Sequence, residues 1–339
     1  MRTSAALLAA ALLVTACGQK KLTAEDVRAA MPNSAALRID APAAAATGAA
    51  PAEGSGGPQL SVAAAAAGPA PLGVSSYLLA TAVNGGVFWA LAPIAWLTEV
   101  VPPTSCTDTA CTWGPGSSDS DLNTWMLVVT KAGDGYDYTL SGAPRAPAGS
   151  AFVPVLSGKA FPGSTRHRGH GTFHVDFDAS FAGLAHVSGA TQQDFGSIAV
   201  DYDATSALVL DVTFLGSRNS DHPGADAAHP NRTNAVYAFR ASDTGGDLKV
   251  GWRTLAPFTV EAPRASFSLH TQWQASGAGV ADARFGAPDL AAGSTIVTFS
   301  ECWAGPPTYA MSYDSLSTTL VDKAACAIAP GAPVDIAIP

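Results

Sequence analysis

The sequence predicts a mainly β protein: one large antiparallel up-and-down sheet, strongly curved or an incomplete barrel, with a single buried apolar helix before it. Three observations carry this. From Trp113 onward, run after run alternates apolar and polar residues with period two. Between those runs lie turn residues and no convincing helical pattern. Ahead of them, no charged residue occurs from Gly54 to Thr98, and a helix apolar nearly all round has to be buried. A two-sheet sandwich is the alternative.

The helix comes first in the chain order of this domain. Over residues 74–100 (VSSYLLATAVNGGVFWALAPIAWLTEV), Val83, Val87, Leu91 and Ile94 follow near-helical spacing, and Trp89 and Trp96 widen the apolar face. A membrane-spanning helix is the competing reading. The Asn84-Gly85-Gly86 triplet and Pro93 interrupt the run and count against it, and Pro102-Pro103 closes it.

The strands follow. Expected ranges are Thr124–Lys131, Tyr136–Ser141, Phe152–Lys159, Gly171–Asp178, Gly196–Asp203, Ala207–Gly216, Asn234–Arg240, Asp247–Arg253, Ser266–Trp273, Ala281–Phe285, Ser294–Cys302 and Thr308–Tyr313. Phe173, Val175 and Phe177 share one face of their strand, while His174, Asp176 and Asp178 share the other. Ile198, Val200 and Tyr202 repeat the scheme, as do Leu248, Val250 and Trp252. One packed face and one wet face mark antiparallel sheet. Gly133-Asp134-Gly135 and Thr244-Gly245-Gly246 separate runs as hairpin turns. So many consecutive strands must curl to hide their edges. The neat arrangement places the uncharged helix against the concave apolar face.

The chain opens MRTSAALLAAALLVTACGQKK. Arg2 precedes a short apolar run at residues 5–14, and Val14-Thr15-Ala16-Cys17 places small residues before a cysteine. This resembles a bacterial lipoprotein precursor. The resemblance, confined to these residues, implies removal of the signal peptide 1–16, acylation of Cys17 and attachment of the protein to the cell envelope. Gly18 follows the cysteine where an aspartate would resemble an inner-membrane retention signal, which points to the outer membrane; its face is open. The lipidated N-terminus, 17–40, includes a short helix started by Thr23, Glu25 and Asp26, docked on the domain or part of an extended tether. Residues 41–71 read as an Ala/Pro/Gly-rich linker that lets the domain, 72–339, stand off the membrane.

Export makes disulfides the expected use of Cys106, Cys111, Cys302 and Cys326. Of three possible pairings, Cys106–Cys111 with Cys302–Cys326 is favoured. The net charge of −9 argues against nucleic acid as a partner. In element order the chain loosely resembles periplasmic lipid-handling half-barrels, which implies an apolar ligand.

Chemistry is thinly supported. "VDFDAS" and "VDYDAT" place Asp176, Asp178, Asp201 and Asp203 near strand ends, but adjacent antiparallel strands send those ends to opposite rims. His167, His170 and His174 lie in a turn entering a strand, interleaved with Arg166 and Arg168. The loop Ser217–Arg232 carries Asp221, His222, Asp226 and His229, a candidate ligand loop on its length and polarity. Glu301, in the apolar run FSECW, reads as a buried carboxylate needing a partner such as an arginine. No nucleophile elbow occurs. No catalytic residue, metal or cofactor is assigned. The expected role is a non-enzymatic envelope binding or assembly module, possible ligands being lipids or other apolar molecules. The alternatives are a purely structural, partner-binding module and a metal-dependent hydrolase.

Overall fold

The structure is a computed structural model that describes residues 21–41, 70–118, 121–186, 195–218, 233–255, 264–286, 297–305, 311–315, 322–331 and 336–338. Three α-helices and fourteen strands are described: α1 (Ala24–Ala30), α2 (Pro71–Glu99), β1 (Ser105–Cys106), β2 (Ala110–Gly116), β3 (Asn123–Ala132), β4 (Gly135–Pro144), β5 (Val153–Thr165), β6 (Arg168–Asp176), α3 (Phe177–Gly183), β7 (Phe195–Asp203), β8 (Val209–Arg218), β9 (Thr233–Ser242), β10 (Gly245–Leu255), β11 (Arg264–Gln274), β12 (Gly279–Gly286), β13 (Val297–Trp303) and β14 (Met311–Asp314). Every strand pairs antiparallel with its sequence neighbours, in the order β1 to β14, so the sheet is an open meander rather than a closed barrel. Each predicted strand has its counterpart.

Curvature comes from both ends meeting one helix. α2 contacts β2 and β3 near the start of the sheet and β12 and β13 near its end. Register shifts between Phe195 and Ser197 and between Phe214 and Ser217 fall at Gly196 and Gly216, both at positive φ. Such bulges bend a strand and increase its twist. The inner faces of β3 to β13, α2 and residues 22–39 share one contiguous apolar core. On β12 that inner face is small: Ala281 and Ala283 are buried there, and the helix approaches closely.

In the middle of the sheet, aromatic rings cover glycines. Tyr138 of β4 lies opposite Gly158 of β5, and Tyr202 of β7 lies opposite Gly171 of β6. A Cβ on Gly158 would meet the Tyr138 ring at 2.7 Å, and one on Gly171 would meet the Tyr202 hydroxyl at 2.9 Å. A missing side chain on one strand is thus filled by its neighbour's ring.

The structure decides between two readings of the N-terminal region and corrects the end of one strand. Residues 22–39 take the docked alternative and not the extended tether: Leu22, Val27, Met31, Leu37 and Ile39 are buried. Thr23 and Asp26 form a reciprocal capping box at the start of α1, and Asn33 Oδ1 accepts from the Ala36 N–H at 2.8 Å. Second, the run Gly171–Asp178 ends as a strand at Asp176, whose carboxylate caps α3 by accepting from the Ala179 N–H at 2.8 Å. Period-two alternation could not show this, because Phe177 fits the apolar phase of either element.

The C-terminal segment covers the outer face of the late strands. Cys302–Cys326 ties it down, as Cys106–Cys111 ties the β1–β2 hairpin. Gly331 N–H donates to Asp282 (3.1 Å) and Ile336 N–H to Ser268 Oγ (3.4 Å), and Cys326 and Ile328 pack on Val280, Cys302 and Tyr313. The tyrosine-over-glycine packing leaves no room for a methyl group. Gly158→Ala is expected to lower stability by about 1–3 kcal/mol, the usual cost of overpacking, read as a reduced urea midpoint at unchanged slope.

Candidate functional site

The chemistry of this molecule concentrates where α2 meets the sheet. Ala70 precedes the helix and provides no side-chain cap, Pro71 occupies the first turn, and that turn holds no acidic residue. The four N–H groups that begin any helix need partners. Here the partner comes from the far end of the chain: Glu301 of β13 accepts from the Gly73 N–H at 2.8 Å, and the Leu72 N–H also donates to it. One turn on, Ser76 Oγ lies 2.6 Å from Thr271 Oγ1 of β11 and also donates to the Leu72 carbonyl at 2.7 Å. Glu301 is 1% exposed. The expected arginine is replaced by backbone donors, so Glu301 is a helix cap rather than half of an ion pair.

Burial raises the Glu301 pKa, and Asp314, its cross-strand neighbour, adds to the rise. The two backbone N–H groups pull the other way, and the balance is a value of about 8 against an ordinary 4.5. A carboxyl group that is neutral through most of the physiological range therefore caps α2.

Residues 28–39 run alongside the second half of α2. Arg28 Nε donates to the Thr98 carbonyl at the helix C-terminus. Asn84 exchanges two hydrogen bonds with Ile39 in mid-helix, 2.8 Å to its N–H and 2.9 Å to its carbonyl. The hairpin between β5 and β6 clasps this layer. His167, at φ 63, donates its N–H to Ala29 O at 2.8 Å and sets Nδ1 2.8 Å from Met31 O. Arg166 bridges Glu25 of α1 and Glu99 of α2. On the β2 side, the Trp96 ring lies over Gly116, within 3.7 Å of where a Cβ would stand.

The sequence-predicted groups do not converge. Asp176 caps α3; Asp178 accepts from the Gly196 N–H at 3.1 Å. Asp203, at the opposite rim, closes a turn on Thr205, whose hydroxyl and N–H hold its carboxyl below the usual range. His167 is the clasp just described, His170 stacks on Phe161 at 4.7 Å, and His174 stands on the outer face. Cys17, Asp221, His222, Asp226 and His229 lie outside the described residues. Among the described residues, no three His, Cys, Asp or Glu side chains gather at metal-binding distance.

The outer face of β4 to β8 carries a shallow trough of about 710 Å³. Its floor is two rows set by strand register. Asp137, Lys159, Thr172, Asp201 and Asp211 form one, and Thr139, Ser157, His174, Ala199 and Thr213 the other. Lys159 pairs with Asp137 at 3.6 Å and Arg240 with Asp211 at 2.7 Å, so the trough presents hydroxyls, ion pairs and the further carboxylate of Asp201 to a polar partner. Alternation marks His174 as outward-facing; which residues stand beside it needed the register.

The cap yields two predictions. Glu301→Ala strands two buried N–H groups and is expected to cost about 2–5 kcal/mol in unfolding free energy. In the wild type, the folded state holds the Glu301 proton between pH 4.5 and about 8 while the unfolded state does not. Its contribution to stability is then fully present below pH 4.5 and is lost as pH rises to about 8. Urea midpoints at pH 5 and pH 9 should show Glu301→Gln gaining on the wild type at the higher pH. No family model matches this chain, and neither a curated protein nor a solved structure matches it.

Proposed function

We propose that this chain is a lipid-anchored cell-envelope protein, acylated at Cys17, whose folded part is a rigid, non-enzymatic binding or assembly module. The sequence also allows a module with an apolar ligand held behind a movable helix. The locking of α2 along its length favours the rigid form. To swing out, the helix would break its bonds to Glu301, Thr271, Ile39 and Arg28 together. Each contributes about 0.5–1.5 kcal/mol net. It would also expose Leu79, Val87, Leu91, Ile94 and Leu97, all buried, at about 1.5–3 kcal/mol each. The sum is on the order of 10 kcal/mol, comparable with the whole stability of a domain. Opening α2 would amount to unfolding.

Recognition in this reading belongs to the exterior, and the polar trough on β4 to β8 is the surface best furnished for it. Its charged pairs and hydroxyls suit a polar partner. Envelope attachment rests on the signal and cysteine pattern at residues 1–17.

Mass spectrometry of protein extracted from membranes should find an N-terminal Cys17 bearing a diacylglyceryl thioether. An unmodified cysteine, or residues 1–16 still attached, would remove the anchor from the proposal. Native mass spectrometry of the same sample separates the two modules: a second lipid held in stoichiometric amount would favour the movable helix.

A further inference from the structure

We infer that the outward face of α2 rests on the surface of the lipid bilayer, beside the acylated N-terminus. The inference rests on the proposed acylation of Cys17 and adds to it a second, non-covalent membrane contact.

The first observation is the face itself. Leu78, Ala82, Gly85 and Trp89 recur at spacings of four, three and four, which puts them on one side of a helix. The buried Ser76, Leu79, Val87, Leu91, Ile94 and Leu97 take the other side. Leu78 is 40% exposed, Phe88 50% and Trp89 75%. Trp89 was expected to widen the buried face and instead points away from it. A Cβ placed on Gly85 or Gly86 would meet nothing within 4 Å. Between Pro71 and Thr98 the helix carries no charge on either face. A helix that turns one apolar side to protein leaves a second apolar side outward, an exposed patch of the kind that marks a membrane contact, and Trp89 on it is of the type enriched at membrane–water interfaces. It does not stand alone as a span, because half its circumference is committed to the sheet.

The second observation is where the chain leaves the fold. Leu22 is buried and its N–H donates to Asp108 O. Only four residues lie between it and Cys17, a reach of at most about 18 Å when fully extended. The Ala/Pro/Gly-rich segment therefore cannot act as a spacer between anchor and domain, since it follows the docked residues 22–41 rather than preceding them. The docked segment itself runs beside α2, from Thr98 at the level of Arg28 to Asn84 at the level of Ile39. Trp89 and Phe88 lie between those two levels. Acyl chains held within that reach bring the bilayer to the same flank of the molecule. Lys20 and Lys21, next to the anchor, suit anionic headgroups. The polar trough sits on the outer face of the central strands, and would look away from the lipid.

The test uses the full acylated chain. Trp89→p-benzoylphenylalanine is placed in vesicles of phosphatidylethanolamine and phosphatidylglycerol, irradiated, and analysed by mass spectrometry. Leu78→p-benzoylphenylalanine is an independent second position. Asp201→p-benzoylphenylalanine, in the trough, is the reference. Phospholipid adducts at positions 89 and 78, with none above background at 201, are expected. Adducts to the same chain, to a second copy or to another protein, equal labelling at 201, or no adduct at all would overturn the inference. The mass of the N-terminal peptide in the same sample keeps the two claims apart. An acylated Cys17 without adducts at 89 and 78 refutes the α2 contact alone; an unmodified Cys17 refutes the anchor reading.

Discussion

The carboxyl group of Glu301 at the start of α2 is the contact on which the architecture turns. A long uncharged helix has no side chain of its own to satisfy its first N–H groups, and an open sheet has no closing strand pair to define its curvature. One hydrogen-bonded carboxyl group answers both needs. It ties the helix N-terminus to β13, while the C-terminal half of the same helix packs against β2 and β3. The helix thereby holds the two ends of the sheet at a fixed separation. A neutral carboxyl is suited to the task, because a charged one would pay a heavy desolvation penalty at that depth.

Around that contact the chain adds layers that consume its remaining apolar surface. Residues 22–39 close one flank of the helix with Val27, Met31, Leu37 and Ile39, and the β5–β6 hairpin grips them through His167 and Arg166. The C-terminal segment does the same on the outside of β10 to β13, where a Cβ on Gly251 would meet Ile336 and Ile338. These covers explain why β12 is buried on both faces and why its outward Asp282 accepts from Ser300 and Gly331 rather than water. Among the described residues no such cover lies on the central strands, where outward Asp, Lys, Thr and His residues line the trough. Among the described residues, the polar trough and the apolar stripe of α2 are two surfaces that these layers leave uncovered.

Much of this was legible in advance. Alternation located the strands from β3 to β14 within a few residues, because the two faces of each strand meet different solvents and the code for that is local. The opposite-rim placement of the two aspartate pairs followed from antiparallel pairing alone. Three features escaped. β2, with the run Cys-Thr-Trp-Gly-Pro-Gly, is too broken by glycine and proline to alternate. α3 hides behind a strand because a seven-residue helix offers less than two full turns of periodicity. The partner of Glu301 escaped because a backbone N–H leaves no mark on the identity of the residue that carries it.

The sequence by itself determined the class of fold, the order of its strands, the apolar helix and the cysteine pairs favoured for bridging, and it carries the pattern at Cys17 on which the proposed anchor rests. All of these are written in composition or in spacings of a few residues. The tertiary structure decided the rest. It joined Glu301 to Gly73 across 228 residues, docked the N-terminal segment as a packed layer, and chose which side of α2 stays bare. Those outcomes depend on which surfaces meet after the chain has curled. Apolar residues all round a helix carry no preference for one side until a sheet covers the other.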